Sequence, residues 1–218
     1  MKEVRIAAIV EGHGECEAMP ILIRRIAQTI DPGFAPKILP PLRVPASRLM
    51  KEGEMERSVN LAGRKLRGQG GILVVLDCDW DSGCPAMDGP ALLKRAMDVR
   101  KDLPIAVILA KKEFEAWFLA AAESLRGKHG LPNDLEPPAD PEDIRSAKEW
   151  LSNKMSQGRS YAETTDEPAF TDIFDMNMAR RADSFDKCYR ATESMLKQLH
   201  GASKEQRSDT NIDTDSNH

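Results

Sequence analysis

Three stretches of this chain, apolar apart from Arg5, each end close to acids. Val4–Val10 leads to Glu11 and Glu15, Ile72–Leu76 to Asp77, Asp79 and Asp81, and Ile105–Ala110 to Glu113 and Glu115. The five apolar residues from Ile72 to Leu76 read as a fully buried strand, and β-branched Ile72, Val74 and Val75 favour that reading. In open α/β sheets ligands bind just beyond the carboxyl ends of the strands, so acids there stand at the functional edge. Carboxylates gathered on one edge repel each other and are costly to desolvate unpaired; a divalent cation removes that penalty. Oxygen-only ligands suit Mg²⁺ or Mn²⁺. Two such ions can activate water and stabilise a leaving oxygen in phosphoryl transfer. Lys111 and Lys112, beside the third pair, can neutralise those acids or hold a substrate phosphate. Each acid also has an ordinary use. Asp is common in turns, and Glu15, Glu113 and Glu115 fit the first turn of a helix.

The elements that must position these acids alternate. A helix over Cys16–Ile30 carries Met19, Leu22, Ile23, Ile26 and Ile30 at helical spacing. A proline-rich segment, 31–45, has room for a short strand near Lys37–Leu39. A helix over Ala46–Arg67 follows, then the central strand, a helix over Ala91–Val99, the strand Ile105–Ala110 and a helix over Phe114–Leu125. Strand–helix alternation of this kind predicts an α/β fold: a mainly parallel sheet with right-handed crossovers and flanking helices. Prolines break the pattern after Gly127. The expected organisation is an α/β core over 1–126, a helical extension over 127–200 packed on the core, and a polar, disordered tail over 201–218. Within the extension, helices are expected at Pro141–Gln157, Phe170–Arg180 and Ser184–Leu199.

The whole chain of 218 residues carries a net charge of −4, which argues against a generally basic, nucleic-acid-coating surface but not against a local basic groove. Cys16, Cys78, Cys84 and Cys188 follow no close-paired metal spacing and read as free thiols of a cytoplasmic protein. No signal peptide or run of membrane-spanning length is expected. Cys78, set between two acids, is a poor thiolate. His13 could serve as a base or phosphate contact, although an exposed turn histidine needs neither role. Lys154, Arg159, Tyr161, Arg181 and Lys187 supply polar groups from the second half, with Lys154, Arg181 and Lys187 as candidate contacts to a phosphodiester. Trp117 and Phe118 read as core.

Taken in order, Glu11-Gly12 in IVEGHGE and Asp77-x-Asp79 in LVVLDCDWD resemble the Toprim fold of topoisomerases, primases and related nucleases. With KKEFEAWFL at Lys111–Leu119 and FDMNMARRADSF around Asp175 and Ser184-Phe185, the chain resembles an uncharacterised family of small prokaryotic Toprim-like proteins over most of residues 1–195. The resemblance implies a Mg²⁺-binding core in which Glu11 is a general acid/base or ligand and Asp77 and Asp79 are ligands. Asp81, Glu113 and Glu115 are further candidate ligands, and Lys111 a catalytic cation. The tyrosine-bearing domain of a topoisomerase and the accessory domains of a primase have no counterpart here. The enzymatic reading that remains is metal-dependent phosphodiester hydrolysis of DNA or RNA. The alternative is a non-enzymatic regulatory subunit of a defence or repair complex, working with a separate ABC-like ATPase, since this chain has no phosphate-binding loop. A third reading is an enzyme acting on small phosphate esters.

Overall fold

The computed structural model describes residues 3–80 and 82–212. Five strands form one sheet: β1 (Arg5–Val10), β2 (Lys37–Ile38), β3 (Leu42–Arg43), β4 (Gly71–Cys78) and β5 (Ile105–Lys111). Every pairing is parallel, in the order β2-β1-β4-β5, with β3 also on β1. β2 pairs with the start of β1 and β3 with its end, so together they make one interrupted edge strand. Pro40 and Pro41 lie at the interruption, as expected for residues that cannot donate to a ladder.

Successive side chains of a strand point to opposite faces, and each face has its own core. Ile72, Val74 and Leu76 pack with α2 (Ala46–Leu49), α3 (Glu54–Leu66) and α4 (Pro85–Val99). Leu73 and Val75 pack with α1 (His13–Ile30), α5 (Ala116–Ala120), α6 (Ala147–Lys154), α7 (Glu163–Ile173) and α9 (Asp183–Ile212), α8 being the short turn Met176–Ala179. This is a mixed α/β fold with a parallel sheet flanked by helices and a long C-terminal helix. Edge-on aromatic contacts link Phe118 of α5 to Phe170 of α7 and to Phe174, which touches Phe185 of α9. Trp117 and Phe118 are fully buried, as expected.

Several helix boundaries differ from those expected. Ala46–Arg67 is two helices, because Gly53 sits at φ 77° between them, in the left-handed region that glycine tolerates. The expected helix from Phe114 shortens to α5 plus a 3-10 turn at Ala122–Leu125. A 3-10 turn at Pro141–Asp143 precedes α6. Helix α7 begins at Glu163, seven residues before Phe170, despite Pro168 in its interior. Helix α9 continues to Ile212, beyond Leu199; residues 213–218 of the expected tail lie outside the described residues. The amides at the start of α9 are satisfied from a distance: the buried Glu142 carboxylate accepts from Asp183 N and Ser184 N, both at 3.0 Å. Among the described residues no helix is long and apolar enough to cross a membrane, and Cys16, Cys78, Cys84 and Cys188 are free thiols.

Candidate functional site

At the carboxyl edge of the sheet the turn from β1 to α1 has Gly12 as its cap residue. Glu15, in the first turn of α1, reaches back to accept the N–H of Glu11 at 2.9 Å and that of Gly12. This leaves its carboxylate buried beside the strand end. A Cβ on Gly12 would lie 3.2 Å from Glu15 Oε2 and 3.4 Å from Glu163 Oε1, so the turn is flanked by both carboxylates. Glu11 Oε1 accepts from Ala46 N at 3.1 Å, tying the end of β1 to the start of α2.

By the two-residue period of β4, Asp77 lies on the face of Leu73 and Val75, where α1 and α7 pack. Its Oδ1 accepts from Phe114 N at 2.8 Å, which joins the ends of β4 and β5. Glu113 Oε2 accepts from Lys148 N at 3.2 Å and so anchors α6 to the same edge. Glu115 receives a hydrogen bond from Tyr161 Oη at 3.1 Å, and Lys148 Nζ stands 3.8 Å from the same Oε1. Lys148 Nζ donates to Glu163 Oε1 at 2.6 Å. Carboxylate oxygens of Glu115, Glu163 and Glu167 lie within 4.8 Å of one another.

Burial is deep: Glu15 is 3% exposed, Glu115 and Glu167 1% each. Desolvation therefore sets the electrostatics, and neighbouring acids add to it. Burial pushes Glu15 up to about 7, aided by the charges of Glu11 and Glu115. Glu115 also rises to about 7 through burial, against the pull of Lys148. Burial, then Glu115, Glu15 and Glu163, drive Glu167 up to about 11. Asp77 is held well above the carboxylate range by burial and by Glu15 and Glu115. Glu11 is raised by burial, with Asp79 contributing. Burial works against the Lys148 ammonium, yet Glu115 and Glu163 outweigh it and hold Lys148 above the ordinary lysine range.

The donor set fits a hard divalent cation. Glu11 Oε2, Glu15 Oε1, Glu115 Oε2 and Glu167 Oε1 are buried and accept no hydrogen bond from the described residues. Buried oxygens left this way are costly, and an oxygen-coordinated ion would satisfy them. Glu115, Glu163 and Glu167 could together coordinate such an ion.

Of the residues expected at the site, the structure brings Glu11 and Glu115 each within electrostatic reach of Asp77. Asp79 is exposed at the mouth, near enough to raise Glu11. Glu113 serves α6 through its backbone contact. Asp81 lies outside the described residues. His13 is exposed at the first position of α1. The other cations are engaged elsewhere. Lys111 pairs with Asp143 at 2.7 Å, in a cleft that Arg181 and Asp183 also line. Lys112, at φ 72°, lies near enough to Asp143 to help lower that carboxyl. Arg181 binds Glu123, Lys154 stands over the Trp150 ring, and Lys187 lies against Gly89 of α4.

Glu163, Glu167 and Lys148 were not expected here. The available signal was the four-residue spacing of Glu163 and Glu167, which places both on one face of a helix. Pro168 hid that helix. No curated protein and no solved structure matches the chain. A family model described as a domain of unknown function, DUF4276, matches residues 10–191, most of the chain, and the protein belongs to that family.

Proposed function

We propose that the protein is a Mg²⁺- or Mn²⁺-dependent nuclease with a Toprim-like core, hydrolysing phosphodiester bonds of DNA or RNA at the carboxylate-lined edge of the sheet. The observation that carries this reading is the meeting of carboxylates from three separate strand ends around buried oxygens that lack hydrogen bonds. Glu11, Asp77 and the exposed Asp79 are the residues to hold an ion where a polymer can reach it, with Asp81 and Glu113 as further candidates. A bound divalent ion supplies charge neutralisation at the phosphate and a nucleophile at neutral pH. Until an ion engages it, Glu115, raised to about 7, can hold or release a proton near neutrality, as an acid–base group must. Hydrogen bonds from Phe114 N and Ala46 N fix one oxygen each of Asp77 and Glu11, leaving the other free to ligate. Lys112, His13 and, on exchanging its exposed partner Asp143, Lys111 are the groups proposed to meet the phosphate backbone.

The test is cleavage of single- and double-stranded DNA and RNA with Mg²⁺ or Mn²⁺, alongside Asp77→Ala and Glu11→Ala. Loss of at least a hundredfold in rate is expected for each variant, the scale of removing a group that organises the reacting centre. Robust activity surviving both substitutions would end the proposal. The depth of Glu15, Glu115 and Glu167 favours a second reading: a cation that organises the fold of a regulatory subunit, which works beside a separate ABC-like ATPase without turnover of its own. Cation binding with no cleavage of polymers or small phosphate esters would select it.

A further inference from the structure

We propose that Lys148 is an exchangeable internal cation: its ammonium occupies the position between Glu115 and Glu163 that a divalent ion takes, and it leaves when the ion enters. The inference rests on the reading of this edge as a cation site, at its Glu115, Glu163 and Glu167 set, and does not require nuclease activity.

The geometry begins with α6. Lys148 N donates to Glu113 Oε2, so the backbone of this residue is pinned to the end of β5. Its flexible side chain then delivers Nζ to Glu163 Oε1 at 2.6 Å, with Glu115 Oε1 at 3.8 Å. The ammonium thus bridges two of the three glutamates whose oxygens converge. It does not complete the site. Glu115 Oε2 and Glu167 Oε1 remain buried without a hydrogen bond, and so does Glu15 Oε1 on the neighbouring turn. These side chains are 1–3% exposed. A lysine has three donors on a single centre and cannot reach so divided a set of acceptors. A divalent ion offers twice the charge and six or more coordination positions. Lys148 also has an exit, because its side chain is 41% exposed whereas Glu115 is 1% exposed. A lysine stem can swing its charged end into water at little cost. Released from Glu163, that end would be free to meet an anionic substrate at the mouth of the site.

The experiment is titration of Mn²⁺ into the full chain at pH 7.5, followed by calorimetry and by the paramagnetic signal of free Mn²⁺. Lys148→Met keeps the stem and removes the charge. It should bind Mn²⁺ roughly tenfold more tightly than wild type, the worth of one charge-assisted hydrogen bond that no longer has to be broken. Unchanged or weaker binding by a folded Lys148→Met protein would overturn the inference. Should that variant fail to fold, wild type alone decides: labelling of Lys148 by an amine-reactive reagent, read by mass spectrometry, should accelerate severalfold with saturating Mn²⁺. A rate of labelling that Mn²⁺ leaves unchanged overturns the exchange. Absence of Mn²⁺ binding in wild type would instead remove the metal reading on which the exchange depends. Absence of cleavage with Mn²⁺ binding intact would remove only the nuclease assignment.

Discussion

Glu167 shows what burial does to a single residue. Its carboxyl, pushed up to about 11 by burial and by the neighbouring acids, stays protonated at pH 7 in the absence of a cation. A protonated glutamic acid and a glutamine have nearly the same shape and no charge. Glu167→Gln should therefore leave metal-free stability within about 0.5 kcal/mol of wild type, while Mn²⁺ affinity falls at least tenfold through loss of a ligand. Chemical denaturation and Mn²⁺ titration of the same variant check both halves. Gly14 makes a contrasting case on the facing helix. A Cβ there would press on Glu163 O at 2.6 Å and on the Glu167 carboxylate. Gly14→Ala should cost about 1–3 kcal/mol by overpacking, read as a lower denaturation midpoint with or without metal. Neither role was visible in the sequence. In the sequence Gly14 stands in the Gly-His-Gly that follows the first strand and suits a tight turn, whereas in the fold it is the point where α1 and α7 approach closely, and no local pattern announces a contact between residues so far apart in the chain.

Elements were legible where one signal dominated. The runs of β1, β4 and β5 are apolar on both faces because helices cover both faces of a parallel sheet, and acids stopping such runs were conspicuous. Helices were less legible where backbone chemistry overrode periodicity. Gly53 split one, and Pro168 concealed the start of another, so the part of α7 that carries its two glutamates was missed. The 3-10 turn at Pro141–Asp143 has a role that spacing could not reveal, since Glu142 caps α9 across 41 residues. Glu142→Ala leaves two amides of α9 without acceptors in a buried setting. The expected loss is about 1–2 kcal/mol, or about 2–8 °C in Tm for a chain of this size. Thermal unfolding monitored by circular dichroism reads it directly. Glu142→Gln retains one acceptor and should recover part of the loss.

At the scale of the whole molecule the carboxylate edge couples folding to pH and to cations. Glu15 and Glu115 have folded-state values of about 7 against about 4.5 for the unfolded chain. Below pH 4.5 both states hold these protons, and stability does not respond to them. Between 4.5 and 7 the unfolded chain has released them while the folded protein still binds them. Proton uptake is then larger in the native state, and the free energy of unfolding falls as pH rises. Above 7 the native state ionises too and the loss levels off, on the order of 1–3 kcal/mol per group; Asp77 and Glu167, raised as well, extend the decline upward. Metal-free protein should therefore have its highest Tm toward the acid side of neutrality and a lower one at pH 8. A divalent cation reverses the sign of this dependence, because it binds the ionised carboxylates and is opposed by the same protons. Added Mg²⁺ or Mn²⁺ should raise Tm strongly at pH 8 and scarcely at pH 5, with proton release into weak buffer on binding. An edge held together only by hydrogen bonds among protonated acids would show the acid-side maximum without the rescue at pH 8, and Tm scans at the two pH values with and without Mn²⁺ separate the two cases.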